Sequence, residues 1–274
     1  MNKFFRHLGC AALAIAVLAA HGTVNAQARE EARLLTAAEV LDTLRSQQDT
    51  LIPERLLQRA YGVAVIPGVT KIAFVLGGRR GSGVLTVRDS RGRFTNPVFV
   101  NLTGGSVGWQ IGAQESDIVL VFTTRRGIEG IADGKLTLGV GASVAAGPVG
   151  RDAEAGAGKD AEVYAYSRSR GVFVGVALNG TALSMDTRGN RAFYDRKDVL
   201  PSDIMSGAAT SDSQNIGRFL AALARSTGET AETAVADAPV DAVAVPQPAT
   251  GATPANEVRT FPMEDPSPGG EPPQ

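Results

Sequence analysis

Histidine and cysteine are nearly absent. The 274 residues hold two histidines and one cysteine, and all three (His7, Cys10 and His21) precede residue 27. Past that point the chain has no imidazole and no thiol. Disulfides, thiolate nucleophiles, histidine general bases and His- or Cys-built metal sites are excluded together. No cofactor and no metal are expected, and catalysis would rest on carboxylate, lysine, tyrosine or serine. Aromatic residues make up only 5%, with one tryptophan, Trp109. So few stacking surfaces, with a net charge of −1, make nucleic acid an unexpected partner.

What is present starts with the N-terminus. Lys3 and Arg6 precede an apolar run from Cys10 to Ala20, and Val24-Asn25-Ala26 offers small residues at cleavage positions. This is the layout of a secretory signal peptide over 1–26, with a run too short to span a bilayer. The protein is expected to be exported, periplasmic or secreted, and peripheral on a membrane. At the other end, 227–274 carries one base, Arg259, against eight acids, and is rich in Ala, Pro, Thr and Glu. A segment with so little to bury is expected to remain a disordered acidic tail. Residues 27–226, with 24 bases and 20 acids, are enough for one domain with a substantial core.

Thr36-Ala37-Ala38-Glu39 reads as a capping box ahead of Val40, Leu41 and Leu44, and predicts a helix over 36–48. Pro53 starts a second, short helix through Ala60. Short β-branched runs follow at 63–66, 72–76, 84–87, 98–102 and 118–122, and 77–81 (GGRRG) reads as a hairpin connection. Ser213 or Asp212 caps a last helix whose apolar stripe is Ile216, Phe219, Leu220 and Leu223.

The stretch 104–114, GGSVGWQIGAQ, has the glycine content of a phosphate loop but not its layout. Its glycines alternate with apolar residues, and more strand follows instead of a helix. Gly156-Ala157-Gly158-Lys159 also fails, because Ala153 and Asp160 stand where a glycine and a hydroxyl residue belong. By strand parity, Val107, Trp109 and Ile111 share one face, and Gly104, Gly108 and Gly112 share the other. Segments 136–147 and 171–178 repeat the scheme, the latter with Val172, Val174 and Val176 opposing Phe173 and Gly175. Such glycines serve either close approach of another backbone or a smooth strip left for a ligand.

Two further groups bear on chemistry. Asp117, Asp133, Asp152 and Asp160 are the candidate carboxylates, although no spacing pairs them. A serine–lysine pair would draw on Lys71 or Lys135. Arginines stand in pairs at strand ends: Arg79 with Arg80, Arg125 with Arg126, and Arg168 with Arg170. Each pair is either ordinary solvated loop charge or a set of guanidiniums that fork onto phosphate oxygens.

Four motifs in order, 61–67 (YGVAVIP), 104–114 with the following DIVLV, 135–151 (KLTLGVGASVAAGPVGR) and 164–171 (YAYSRSRG), resemble the SYLF domain family from about Leu35 to Leu200. The resemblance implies a non-enzymatic phospholipid- or phosphoinositide-binding module. Eukaryotic members have actin-related roles, which an exported chain is not expected to share in its own cell. An N-terminal amphipathic segment used at membranes maps onto 36–48. The expected fold is α+β: a mainly antiparallel multi-stranded sheet or sandwich with helices at both ends. Arg79, Arg80, Arg125, Arg126, Arg168 and Arg170 are the candidate head-group ligands, and Trp109, Leu41 and Leu44 the candidate apolar contacts. The alternative is an envelope module that docks a protein partner through a sheet edge or the glycine strip.

Overall fold

The computed structural model describes residues 26–44, 52–132, 134–148, 161–169 and 172–228, with the side chains of 54, 73–76, 106–113 and 132 left out. All of them lie in one compact unit, and the second unit, Asp237–Gln274, falls outside the described residues. Of the expected signal peptide (1–26) and acidic tail (227–274), residues 1–25 and 229–274 also fall outside them.

Two very long strands organise the domain. β1 (Gly62–Val87) and β2 (Val98–Phe122) form an antiparallel ribbon whose register runs from Gly62↔Phe122 to Leu85↔Val98. Drawn straight, 25 residues of strand would measure roughly 80 Å, whereas a 200-residue domain has a radius of gyration of about 16 Å. The ribbon therefore folds back on itself. Its register shifts between Ile66 and Val69 and again between Ala73 and Val75, where it changes course. Glycines allow the two halves to touch. A Cβ on Gly81 would stand 2.6 Å from Val69 Cγ2, and one on Gly83 would overlap the Val65 carbonyl oxygen. The Arg88 N–H donates to the Tyr61 carbonyl at 2.7 Å, joining the start of β1 to its end.

The expectation of a hairpin at 77–81 is thus overturned, since GGRRG is continuous strand. The chain reverses at 88–97 instead. Asp89 Oδ1 accepts from the N–H groups of Arg91 (2.8 Å) and Arg93 (2.9 Å), and Gly92 takes a φ of 80°. An aspartate that bonds its own following backbone is the stronger turn former.

Further strands complete a seven-stranded sheet on the ribbon. β3 (Lys135–Thr137) pairs β7 (Ala182–Met185), which pairs the start of β2. β5 (Val163–Ser169) pairs the end of β2, from Asp117↔Arg168 to Phe122↔Val163. The far edge of β5 holds β4 (Val144–Ala146) in parallel and β6 (Val172–Gly175) antiparallel. Segment 136–147 is therefore not one strand; it turns at Gly139, whose φ is 83°. The parity expected at 171–178 is reversed. Phe173 is buried, while Val172 and Val174 are 47% and 51% exposed. Both faces of VFVG are apolar, so alternation could not choose between them, and the ring has more area to bury.

Among the described residues, five helices beyond the first, α1 over 26–44, flank the sheet: α2 (Glu54–Gln58), α3 (Arg126–Ala132), α4 (Thr187–Phe193), α5 (Pro201–Met205) and α6 (Gln214–Thr227). Thr36 is not an N-cap. It lies inside α1, and its hydroxyl donates to the Ala32 carbonyl at 3.0 Å. α6 agrees with its expectation: Ser213 accepts from the Asn215 N–H, and Ile216, Phe219, Leu220 and Leu223 are buried. Glu31 meets Ser213 and Asn215 at 2.6 Å each, and Asp42 meets Arg225 at 2.7 Å, so α1 and α6 run parallel. The fold is α+β.

Candidate functional site

The ribbon's change of course leaves a crook in β1. Thr70 and Ile72 line its incoming limb, and Gly78, Arg79 and Arg80 its outgoing limb, around a cleft of about 490 Å³. That volume lies within the range of small-molecule sites, about 300–1,000 Å³. Ile72 is 61% exposed. Lys71 sits beside it on the other side of the pleat. Gly78 faces Gly105 across the ribbon. A Cβ on Gly105 would meet nothing within 4 Å, whereas one on Gly104 would stand 2.9 Å from Thr181 Oγ1. The glycines of GGSVGWQIGAQ thus have both uses: Gly104 admits a neighbour, and Gly105 leaves bare surface.

Arg79 is the unusual group here. Its side chain is half-buried, and its Nε is enclosed without a hydrogen-bond partner among the described residues. Burial lowers its pKa from the ordinary guanidinium value, which reflects the cost of a desolvated cation. Arg80, one residue on, is exposed. Trp109 belongs to the same part of the ribbon, between Gly108 (opposite Val75) and Gly112 (opposite Ala73), but its side chain is outside the described set.

The other expected residues do not gather here. Leu41 and Leu44 are 0% and 2% exposed, so their expected role as apolar membrane contacts is corrected: they are core residues under α1. Helical periodicity showed that they share a face but not what covers it. Arg168 is engaged with Asp117, its Nε at 2.8 Å and Nη2 at 2.5 Å from Oδ2, and it lies 5.7 Å from the Phe173 ring centroid. It is a structural clamp and not a free head-group ligand. Arg126 is exposed and 3.8 Å from Glu162. Arg125 is exposed at the start of α3, away from the crook in sequence and strand pairing. Arg170, Asp133, Asp152 and Asp160 lie outside the described residues. Lys135 is on β3 and Lys71 on β1, and no cluster of three or more His, Cys, Asp or Glu occurs among the described residues.

Sequence reasoning missed a second polar centre. Arg33 of α1, buried, has Nη1 3.1 Å from Asp186 Oδ2 and 2.8 Å from Glu30 Oε2, the latter outside hydrogen-bond geometry. Burial raises the Glu30 pKa, Arg33 opposes that, and Asp186 adds to it. Asp186 also caps α4, its Oδ1 accepting from the Gly189 N–H at 3.1 Å. The partners are 153 residues apart, and no local spacing announces them. A smaller cleft of about 310 Å³ is lined by Arg33 with Thr36, Gly68, Ser82, Glu115 and Asp117. Asp117 there also accepts the Gly68 N–H at 3.0 Å.

Residues 103–226 match the Ysc84 family, described as a Las17-binding protein actin regulator. The match begins inside the crook-bearing ribbon and ends in α6. The chain belongs to the SYLF domain family. A frog relative, the SH3 domain-containing YSC84-like protein 1 of Xenopus laevis, is 33% identical over 187 residues, covering 67% of this chain and 55% of that protein. The human protein of the same name is 34% identical over 187 residues, 67% of this chain and 54% of its own. LAS seventeen-binding protein 3 of Saccharomyces cerevisiae is 38% identical over 151 residues, 53% of this chain and 33% of that protein. The SYLF chain therefore spans about half the length of the animal relatives and a third of the yeast one.

Proposed function

We propose that this SYLF protein is a non-enzymatic lipid-binding module that works outside the cytoplasm, peripherally on a membrane surface. The observation that carries the reading is an exposed isoleucine, Ile72, set beside Arg79 and Arg80 in the crook of the ribbon. An apolar group among cations matches an interface where acyl chains meet anionic head groups. The family supports a binding role: its description and its relatives' names concern binding and regulation. Export rests on Lys3, Arg6 and the apolar run that follows. No helix among the described residues is long and apolar enough to cross a membrane. Co-sedimentation of the protein with vesicles tests the reading. Retention on anionic vesicles that weakens as salt rises is the expected outcome, and equal failure on anionic and zwitterionic vesicles refutes it. N-terminal sequencing of the exported protein tests cleavage after Ala26.

A second reading has its own observation. Among the described residues β6 is an edge strand, with Val172 and Val174 exposed, the kind of edge that accepts an added strand. An envelope protein partner docked there would protect the 172–175 amides from hydrogen exchange without any vesicle binding.

A further inference from the structure

The edges of the sheet are guarded differently. β3 is three residues long, carries the exposed Lys135 and packs against α3, and each of these keeps a natural edge from pairing with another chain. β6, VFVG, has neither charge nor proline. Its pairing side follows from one bond. The Val176 N–H donates to the Ala165 carbonyl at 3.0 Å, and main-chain groups alternate sides along a paired strand. Val172 and Val174 therefore turn their N–H and C=O groups toward β5, whereas those of Phe173 and Gly175 face away from it. Among the described residues β6 pairs only β5, so these outward groups have no strand partner there. A Cβ on Gly175 would overlap the Gly147 carbonyl oxygen, so the chain at Gly147 lies on the Phe173 face of the strand. The opposite face, with Val172 and Val174, is exposed.

The sequence of this edge suits a second copy of itself. Valines recur at 172, 174 and 176, symmetric about Val174. An antiparallel copy centred there sets Val174 against Val174 and Val172 against Val176, while Phe173 and Gly175 exchange main-chain hydrogen bonds. Each side chain on the open face then meets a β-branched one, and no like charges stand opposite each other. A charged peptide would find no counter-charge on β6. So short a strand buries well under the roughly 1,200 Å² of a stable interface, which fits a reversible dimer. We infer that β6 is a self-recognition edge: two copies of this chain join β6 to β6 about a two-fold axis at Val174, continuing the sheet across both. This names the partner of the edge-docking reading, rests on that edge being open, and does not depend on vesicle binding.

The full chain, kept reduced so that Cys10 does not cross-link copies, is followed by sedimentation velocity from about 5 to about 500 μM, where a reversible monomer–dimer shift is expected by mass action. Hydrogen exchange over the same range should show the amides of Phe173 and Gly175 gaining protection. Those of Val172 and Val174, which already face β5, should change little. Val174→Lys sets two cations directly opposite and is expected to weaken dimerisation at least tenfold. Far-UV circular dichroism should be unchanged, because the position is exposed. Val174→Glu alone should do the same. Mixing the two variants should restore association to within threefold of wild type, a rescue available only where position 174 meets its own copy. If wild type dimerises but the mixture does not, the copies meet elsewhere and the inference falls. A wild type that stays monomeric while Phe173 and Gly175 exchange freely also overturns it, and leaves the edge open to a different protein. Amides protected at every concentration in a monomer mean that the edge is covered within the chain, and both readings of it fail.

Discussion

Gly83→Ala tests the ribbon's fold-back directly. In this fold the two halves of β1 touch through backbone: a Cβ at position 83 would overlap the Val65 carbonyl oxygen, and it would stand 2.7 Å from Ile66 Cα and 2.9 Å from Ile66 Cγ1. Two of those three neighbours are main chain, and Val65 and Ile66 are fully buried, so neither can rotate away. Forcing one methyl into a packed site costs typically about 1–3 kcal/mol, and contact with backbone puts this site at the upper end. For a domain of about 200 residues, 1 kcal/mol corresponds to roughly 2–4 °C in Tm, so a loss of about 6–12 °C is expected. Gly105→Ala is the matched control: same residue type, same ribbon, nothing within 4 Å of the new carbon. It should shift Tm by no more than about 2 °C, since surface changes are usually within about 0.5 kcal/mol. Thermal unfolding by circular dichroism, with a urea titration to confirm an unchanged m-value, measures both. If Gly83→Ala proves as stable as Gly105→Ala, the halves of the ribbon are not in backbone contact and the crook does not exist as described.

Other expectations follow from the same geometry. Burial holds the Glu30 carboxyl above its ordinary pKa of 4.5. The folded state therefore keeps that proton longer than the unfolded chain, and stability falls as pH rises from about 4.5 through the folded pKa. Urea midpoints of wild type and Glu30→Gln, taken from pH 4 to 7, should diverge in favour of the variant over that window; parallel curves would show no buried acid. Asp117→Ala strands Arg168 and frees the Gly68 N–H, and with the pair partly exposed it should cost about 1–2 kcal/mol. Arg168→Ala should cost less, because Asp117 keeps its backbone donor, and differential unfolding of the pair ranks them. Ile72→Ser should leave Tm within about 2 °C, corresponding to about 0.5 kcal/mol, while reducing vesicle retention. A large loss of stability would mean that Ile72 is packed.

Much of the architecture could be read locally. The Ser213 cap and the Ile216–Leu223 stripe depend on neighbours within one helix, and the strand runs at 63–66, 98–102 and 118–122 depend on β-branched content. What local reading lost was continuity and side. Nothing within 77–81 says that GGRRG stays extended; that follows from pairing with Gly104 and Thr103 some 25 residues on. Leu41 and Leu44 looked amphipathic enough for a membrane, and only the neighbouring elements show that their face is covered. At the site, paired arginines were visible but not equivalent. Arg168 is held by Asp117, 51 residues away, whereas Arg79 is left enclosed without an acceptor among the described residues. Distinguishing them requires knowing which strand lies alongside, and sequence spacing does not carry that.

The parallel contact between α1 and α6 bears on how the chain reaches this state. Its anchors join Glu31 to Ser213 and Asn215 and Asp42 to Arg225, separations of 182, 184 and 183 residues. Contacts that distant form late and slowly. A nascent chain cannot seat α1 against α6 before residue 227 has emerged, and until then the apolar face from Leu34 to Leu44 is short of that partner. The protein is thus built to remain unfinished during synthesis, a state suited to handling by chaperones and a hazard if it is cut short.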